Sequence, residues 1–316
     1  TMQFGILFPG QGAQEVGMGL DFAHNSPSAK ALFDEADAVL GLPLSDLCFE
    51  GPLEELTATD IAQPAIYTCS LAAIAAFEEL AGEKIQPVMT AGLSLGEYTA
   101  LAAAGVISFA DGLRLVRLRG AAMQAASEAM PSGMTSVMGM ERQPLEALCA
   151  DVAAESGAIC QVANLNSPGQ LVVSGQIAAL DLLEARAKEA GAKRAIRLNV
   201  AGAFHSEVMR PASEKLKVAL SEIEFQPASC PVWQNATAEA STDATTLKAN
   251  LVAQLCAPVL WQESFAKMAA SSPDTTFLEP APGRVLSALA RKIARGAKVV
   301  SLHEAAAATD ILESIQ

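Results

Sequence analysis

Residues 91–97 read Ala91-Gly92-Leu93-Ser94-Leu95-Gly96-Glu97, and this stretch decides the fold. It carries the pattern Gly-x-Ser-x-Gly, preceded by the apolar run Val88-Met89-Thr90-Ala91 and followed by a helix-like segment, Tyr98–Ala104. In that context the pattern predicts a nucleophile elbow: a serine on a tight strand-to-helix turn, flanked by glycines so that neighbouring backbone can crowd it. Such a turn lifts the Ser94 hydroxyl clear of the sheet. It also aims the Leu95 amide at the oxygen of an attacked carbonyl, with the positive end of the following helix behind it.

Outward from the elbow, strands alternate with helices. Gln3–Phe8 reads as a short buried strand that breaks at Pro9-Gly10-Gln11-Gly12. Helical periodicity covers Ser28–Leu40 and Gln63–Leu80, and the strand into Ser94 comes next. Leu101–Gly105 continues the elbow helix, and Asp111–Ala126 is predicted helical, capped by Ser108 or Asp111. This alternation predicts an α/β fold with a mostly parallel sheet.

From about residue 127 the rhythm changes. Strands are predicted at Met134–Met140, Ile159–Leu165, Gln170–Ser174 and Lys193–Val200, with helices at Gln143–Ser156 and Ile177–Ala190 and a turn at Asn166-Ser167-Pro168-Gly169. The order β-α-β-β-α-β is the split-βαβ, ferredoxin-like unit, closed within about 70 residues. Its ends lie near each other, which suits an insertion. The expected organisation is a discontinuous core, 1–127 and 200–316, carrying a small subdomain, 128–199. The α/β pattern then resumes with a helix from His205 to about Leu220, strands near Val232 and at Thr275–Glu279, a helix at Val285–Arg295 and a final strand at Lys298–Leu302.

Composition narrows the function. The chain has 316 residues, enough to bury a sizeable core, and 51% of them are hydrophobic. The longest apolar runs, Ala65–Phe77 and Tyr98–Ala110, fall short of the roughly 18–20 residues that cross a bilayer and read as buried helices. No basic stretch leads into an apolar segment at the start, so no secretory signal is expected and a cytoplasmic setting is, or the plastid stroma in a photosynthetic eukaryote. The six cysteines are scattered without a Cys-x-x-Cys pair, as small core residues in a reducing compartment would be. The three histidines, His24, His205 and His303, have no metal-ligand spacing, so no metal is expected. A formal charge of -14 argues against a nucleic-acid partner. Basic residues gather at Arg186–Arg197 and Arg284–Lys298, each read either as ordinary helix solvation or as a dock for an acidic protein.

A serine hydroxyl at its own pKa is a poor nucleophile and needs an adjacent base. His205 is the candidate, after the apolar segment Ala201-Gly202-Ala203-Phe204; His24 and His303 sit in polar contexts. Hydrolases with this elbow place an Asp or Glu between serine and histidine. The aspartates there, Asp111, Asp151 and Asp181, fall at helix starts or on helix faces, where capping or solvation explains them. A neutral oxygen such as a backbone carbonyl can instead orient the imidazole. The absence of an acid counts against a lipase or esterase.

Phe8-Pro9-Gly10-Gln11-Gly12, the GLSLGEYTAL segment from Gly92, Arg119 within Arg117–Met123, Asn164–Gln170, Ala203-Phe204-His205-Ser206 and Pro282-Gly283-Arg284-Val285-Leu286 together resemble the malonyl-CoA:acyl carrier protein transacylase family, in order and over nearly the whole chain. The resemblance implies an α/β-hydrolase-like core with an inserted ferredoxin-like subdomain. It also implies that Ser94 is the nucleophile, His205 its base, Gln11 and Leu95 the oxyanion-hole amides, Arg119 the partner of the malonyl carboxylate, and Gln254 the residue whose backbone carbonyl accepts from the histidine. Arginine suits that task because its planar fork holds a carboxylate by two charge-assisted bonds.

The implied reaction is ping-pong transfer of malonyl from malonyl-CoA to acyl carrier protein for fatty-acid synthesis, by a monomer, with no metal or redox cofactor. The acidic carrier is expected to dock on Arg284 and Arg291 or on Lys188 and Arg194. Two rivals share the chemistry: an acyltransferase that loads a polyketide synthase, and a serine thioesterase. A catalytically idle member kept for protein contact is a third, against which the intact Ser94, His205, Gln11 and Arg119 speak. The sequence departs from the family at Leu93, where many members have histidine, and at Ala203, where many have proline, which predicts a freer loop before His205. Phe204 favours a small acyl group over a branched one.

Overall fold

The computed structural model describes residues 2–316. Ten strands form two sheets: β1 (Met2–Phe8), β2 (Ile85–Gly92), β3 (Ser132–Met138), β4 (Cys160–Ser167), β5 (Gln170–Gln176), β6 (Arg194–Arg197), β7 (Val232–Gln234), β8 (Glu239–Ser241), β9 (Thr276–Pro280) and β10 (Lys298–Leu302). The larger sheet runs β10-β9-β1-β2-β7-β8 and is parallel except for the edge pair β7–β8. The smaller runs β4-β5-β3-β6 and is antiparallel throughout. With helices Arg142–Ser156 and Ile177–Arg186 in the crossovers, this is the predicted β-α-β-β-α-β unit.

Burial follows the period of two in β1. Phe4, Ile6 and Phe8 join the core on one face of the large sheet. Leu7 faces the other way, among Trp261, Phe265, Phe277 and Leu286. Gly5, on that second face, leaves room for the Phe277 ring, which a Cβ would meet at 2.6 Å. The small sheet has its own core of Val137, Leu145, Val152, Val173, Leu180 and Leu183. The small sheet is tied to the rest of the fold where Val259, just before helix Trp261–Ser271, bonds β4, its amide donating to Ala163 at 2.8 Å and its carbonyl accepting from Leu165 at 3.0 Å.

The second expected helix begins a turn earlier than Gln63: it spans Thr59–Ala81 and carries Pro64 inside. Proline cannot donate to the carbonyl four residues back, that of Asp60. Arg117 fills the vacancy, its Nη1 donating to Asp60 O at 2.8 Å. By length and composition this helix could cross a membrane, but 67% of its apolar window is buried inside the fold, as in a core helix.

Other expectations need correction. The helix predicted from His205 to Leu220 is a 3₁₀ turn, Glu207–Met209, and then a helix at Arg210–Ser221. Pro211 suits a first helical turn, and the Ser206 hydroxyl caps Val208, so His205 lies outside the helix. The helix Ile177–Ala190 ends at Arg186, and the strand expected over Lys193–Val200 keeps only Arg194–Arg197. The chain continues past β10 into a helix, Ala305–Ile315, whose buried face is only Ala308 and Ile311, too sparse a pattern to stand out in the sequence.

Candidate active site

The elbow forms where β2 ends. Leu93 donates to Phe8 O on β1 at 3.0 Å, and Ser94 takes φ +54°, a left-handed conformation that strains any residue but glycine. The flanking glycines are required by contact. A Cβ on Gly92 would lie 1.9 Å from the Gly96 carbonyl carbon, and one on Gly96 would lie 2.3 Å from Phe8 O. Helix Gly96–Ala103 starts immediately, so its positive end sits behind the serine.

Ser94 Oγ is 2.8 Å from His205 Nε2. His205 Nδ1 is 2.9 Å from the backbone carbonyl of Gln254. A carbonyl only accepts, so Nδ1 carries the proton and Nε2 presents its lone pair to the serine hydroxyl. His205 is also left-handed, at φ +56°. Burial, first, and the nearby Arg119 charge push its pKa down to about 4, opposed by the Gln254 bond, so the imidazole is neutral at pH 7.

The loop before His205 is not freer for having Ala203. The Ala203 amide, which a proline would lack, donates to Ser132 Oγ at 3.0 Å, and the Ser174 hydroxyl donates to Phe204 O. Gly202 presses against Ser127, whose Oγ a Cβ would meet at 2.1 Å. Hydrogen bonds to the small sheet do the work of the ring.

Arg119, on helix Phe109–Ala129, is 1% exposed and reaches the same point. Its Nη2 donates to Ser94 Oγ at 3.1 Å and to Gln254 Oε1 at 2.9 Å, and its Nη1 donates to Gln63 Oε1 at 2.9 Å. The guanidinium carbon lies 5.5 Å from the centre of the Tyr98 ring. Its Nε has no hydrogen-bond partner, and among the described residues no carboxylate forms an ion pair with it. Burial lowers its pKa, but an arginine remains charged.

Gln11 and Ser94 border a cleft of about 520 Å³, together with Asn164 and Asn166 of β4 and with Phe204 and His205. The cleft therefore lies between the two sheets. The Leu95 side chain is fully buried, and among the described residues neither the Leu95 nor the Gln11 amide donates to another protein group. Leu93 lines the mouth of the cleft with an apolar side chain.

The structure thus gathers Ser94, His205, Arg119 and Gln254 into one bonded cluster and sets Gln11 and Leu95 beside it. The expected docking residues lie elsewhere on the surface: Arg284 and Arg291 at the two ends of helix Val285–Ile293, Lys188 and Arg194 on the small subdomain, all exposed. His24 is exposed, and His303 bonds Ser301 O. Asp111 pairs with Arg114 and Asp181 with Arg197, away from the imidazole.

Sequence reasoning missed four participants. The Gln254 side chain bonds both Arg119 and the Ser94 carbonyl. Gln63, Asn235 and Glu97 are buried polar residues around the cluster. A glutamine in an apolar helix and a glutamate directly after the elbow are unexplained by amphipathicity, and that was a usable signal. Asn235, in a loop after a three-residue strand, gives none.

Residues 6–308 match the model of the acyl transferase domain family. The malonyl CoA-acyl carrier protein transacylase of Bacillus subtilis is 46% identical over 95% of this chain and 93% of its own. An acyl carrier protein S-malonyltransferase from Vibrio cholerae superimposes with a TM-score of 0.91 at 38% identity, covering 100% of both chains. A malonyl-transacylase solved in complex with a type II PKS acyl-carrier protein gives 0.91 at 37% identity, over 99% of this chain and 100% of its own. Together with the sheet order, elbow and cleft, these likenesses place the chain in the acyl transferase family, among the malonyl CoA-acyl carrier protein transacylases.

Proposed function

We propose that this acyltransferase moves malonyl from malonyl-CoA to the phosphopantetheine thiol of acyl carrier protein through a malonyl-serine ester, supplying fatty-acid synthesis. One observation carries the reading: a buried guanidinium without a carboxylate partner stands 3.1 Å from the hydroxyl that would bear the acyl group. A malonyl unit on Ser94 would bring its free carboxylate to that charge, and an acetyl unit would leave it uncompensated.

Neutral His205 takes the Ser94 proton as Oγ attacks the thioester carbonyl. The Leu95 and Gln11 amides donate to the developing oxyanion, and the imidazolium keeps its Nδ1 bond to Gln254 O, now strengthened by the charge. The proton passes to the departing CoA sulfur, leaving the ester. The carrier thiol then attacks, again with His205 as base, and Ser94 is released. This chemistry needs no metal or redox cofactor. The carrier is acidic and docks on Arg284 and Arg291 or on Lys188 and Arg194. The likeness to a relative solved with a type II PKS carrier supports a second reading, service to a polyketide synthase with the same chemistry.

Incubation with malonyl-CoA followed by intact-mass measurement tests the reading. A one-malonyl adduct lost on adding holo-carrier protein, and absent from Ser94→Ala, is expected. No adduct with any dicarboxylic acyl-CoA would end it, and transfer to water in place of the carrier would make the protein a thioesterase.

A further inference from the structure

The elbow needs an external brace, because Ser94 sits at φ +54° and two glycines on either side give no side chains to hold it. Two carboxamides meet the Ser94 backbone: Gln254 Nε2 donates to its carbonyl at 2.9 Å and to Asn235 Oδ1 at 3.5 Å, and Asn235 spans the turn. Asn235 Oδ1 accepts from the Ser94 amide at 2.7 Å, and Asn235 Nδ2 donates to Gly92 O at 2.8 Å. The two bonds span the turn, from the last residue of β2 to the serine. Asn235 is 1% exposed, and its own amide donates to Glu97 Oε1 at 2.7 Å. Glu97 is fully buried in the first turn of the elbow helix, and its second oxygen lies 3.3 Å from Gln234 Nε2. The end of β7 is thereby tied to both sides of the turn.

We infer that Asn235 is a positioning residue for the nucleophile: its carboxamide fixes the strained Ser94 backbone, and Glu97 fixes Asn235. The bond has a second consequence. It occupies the Ser94 amide and keeps it from the oxyanion, so the elbow's donor there is the Leu95 amide. Asparagine is required because the turn offers one donor and one acceptor, and a carboxamide meets both without charge. A carboxylate at this position would oppose Gly92 O, and an aliphatic side chain would leave both groups unmet in a buried site.

The inference rests on Ser94 being the residue acylated by malonyl-CoA. In Asn235→Ala, the single-turnover acylation rate at saturating malonyl-CoA is expected to fall about 100-fold, the effect of an ångström-scale misplacement of a nucleophile. The half-saturating concentration should stay within about threefold, since Asn235 makes no bond to Arg119, which keeps its hold on Gln63. The Ser94 amide proton, followed in serine-labelled protein by NMR, should move upfield as its acceptor is lost. If the alanine variant does not fold, Asn235→Asp, of similar volume, carries the test. It keeps an acceptor for Ser94 and loses the donor to Gly92, so acylation slows at least tenfold while the Ser94 amide stays downfield. A folded alanine variant with wild-type acylation, a loss confined to half-saturation, or an unmoved Ser94 amide overturns the clamp; with the aspartate alone, wild-type acylation or an upfield Ser94 amide does so. If wild-type Ser94 takes no acyl group at all, the functional reading fails, and the amide resonance still decides whether Asn235 holds the serine.

Discussion

Arg119→Ala removes a cation that is 1% exposed and held only by neutral acceptors, Gln63 Oε1, Gln254 Oε1 and Ser94 Oγ. In the acylation transition state the malonyl carboxylate is expected to take the open positions on that guanidinium and form a buried ion pair. Removing one member of such a pair costs about 3–5 kcal/mol, since the other is left charged in a desolvated site. At about 1.4 kcal/mol per tenfold, kcat/KM for malonyl-CoA should drop between roughly 150- and 5,000-fold. Acetyl-CoA brings no carboxylate, so its kcat/KM should hold or rise once the unpaired cation is gone. The decisive quantity is therefore the malonyl-to-acetyl ratio, which should fall at least about 100-fold. Arg119→Lys, keeping the charge but not the fork, should lie between. Both ratios can be read by letting the two thioesters compete and resolving the acyl-enzymes by intact mass. Vacating two buried glutamine oxygens also destabilises the variant, by about 1–3 kcal/mol for each left unmet, so folding is checked by thermal melt. A folded Arg119→Ala that keeps its preference for malonyl within about threefold would refute the reasoning.

Four further outcomes follow from the same geometry. Burial depresses His205 to about 4 and lifts the buried Glu97 to about 7, so a break in kcat/KM for acylation near 7 should disappear in Glu97→Gln. In that variant the profile should stay level from pH 8 to about 5, and a break near the ordinary 6.5 would contradict the buried neutral base. The same depression makes His205 favour the fold fully above pH 6.5, with about 3 kcal/mol lost as pH falls toward 4; His205→Ala should flatten that part of the stability profile in urea titrations. Gly92→Ala puts a methyl 1.9 Å from backbone that cannot yield, so it should cost about 3 kcal/mol or more, whereas Gly296→Ala, with nothing within 4 Å, should change the melting temperature little. Charge reversal at Arg284 and Arg291, or at Lys188 and Arg194, should raise KM for carrier protein alone, and if neither pair does so, the acidic carrier docks elsewhere.

Local signals carried most of the architecture. The elbow, the change of rhythm after residue 127 and the β-α-β-β-α-β order are short-range patterns, because a strand's period and a turn's glycines are set by neighbours in the chain. Two of the boundaries that failed are ones where a distant group intervenes. Helix Thr59–Ala81 runs through Pro64 because Arg117, on another helix, takes the carbonyl that proline leaves free. His205 stands outside the helix expected to start there, because the Ala203 amide donates to Ser132 Oγ and the Ser174 hydroxyl donates to Phe204 O.

What the sequence by itself determined is the set of candidate groups: a serine between glycines, a histidine after an apolar segment, an arginine within a helix. It also counted against an aspartate partner, since Asp111, Asp151 and Asp181 each had a local use. Only the tertiary structure decided that these groups meet. Ser94, Arg119, His205 and Gln254 lie on four separate segments, and their 2.8–3.1 Å contacts exist because the large sheet and the small one close over a shared cleft. Packing strips water from Arg119 and His205, leaving one charged, near the buried Glu97 but in no ion pair, and the other neutral. Solvation of this kind has no representation in a linear pattern, because it depends on everything packed around a residue and not on what precedes or follows it.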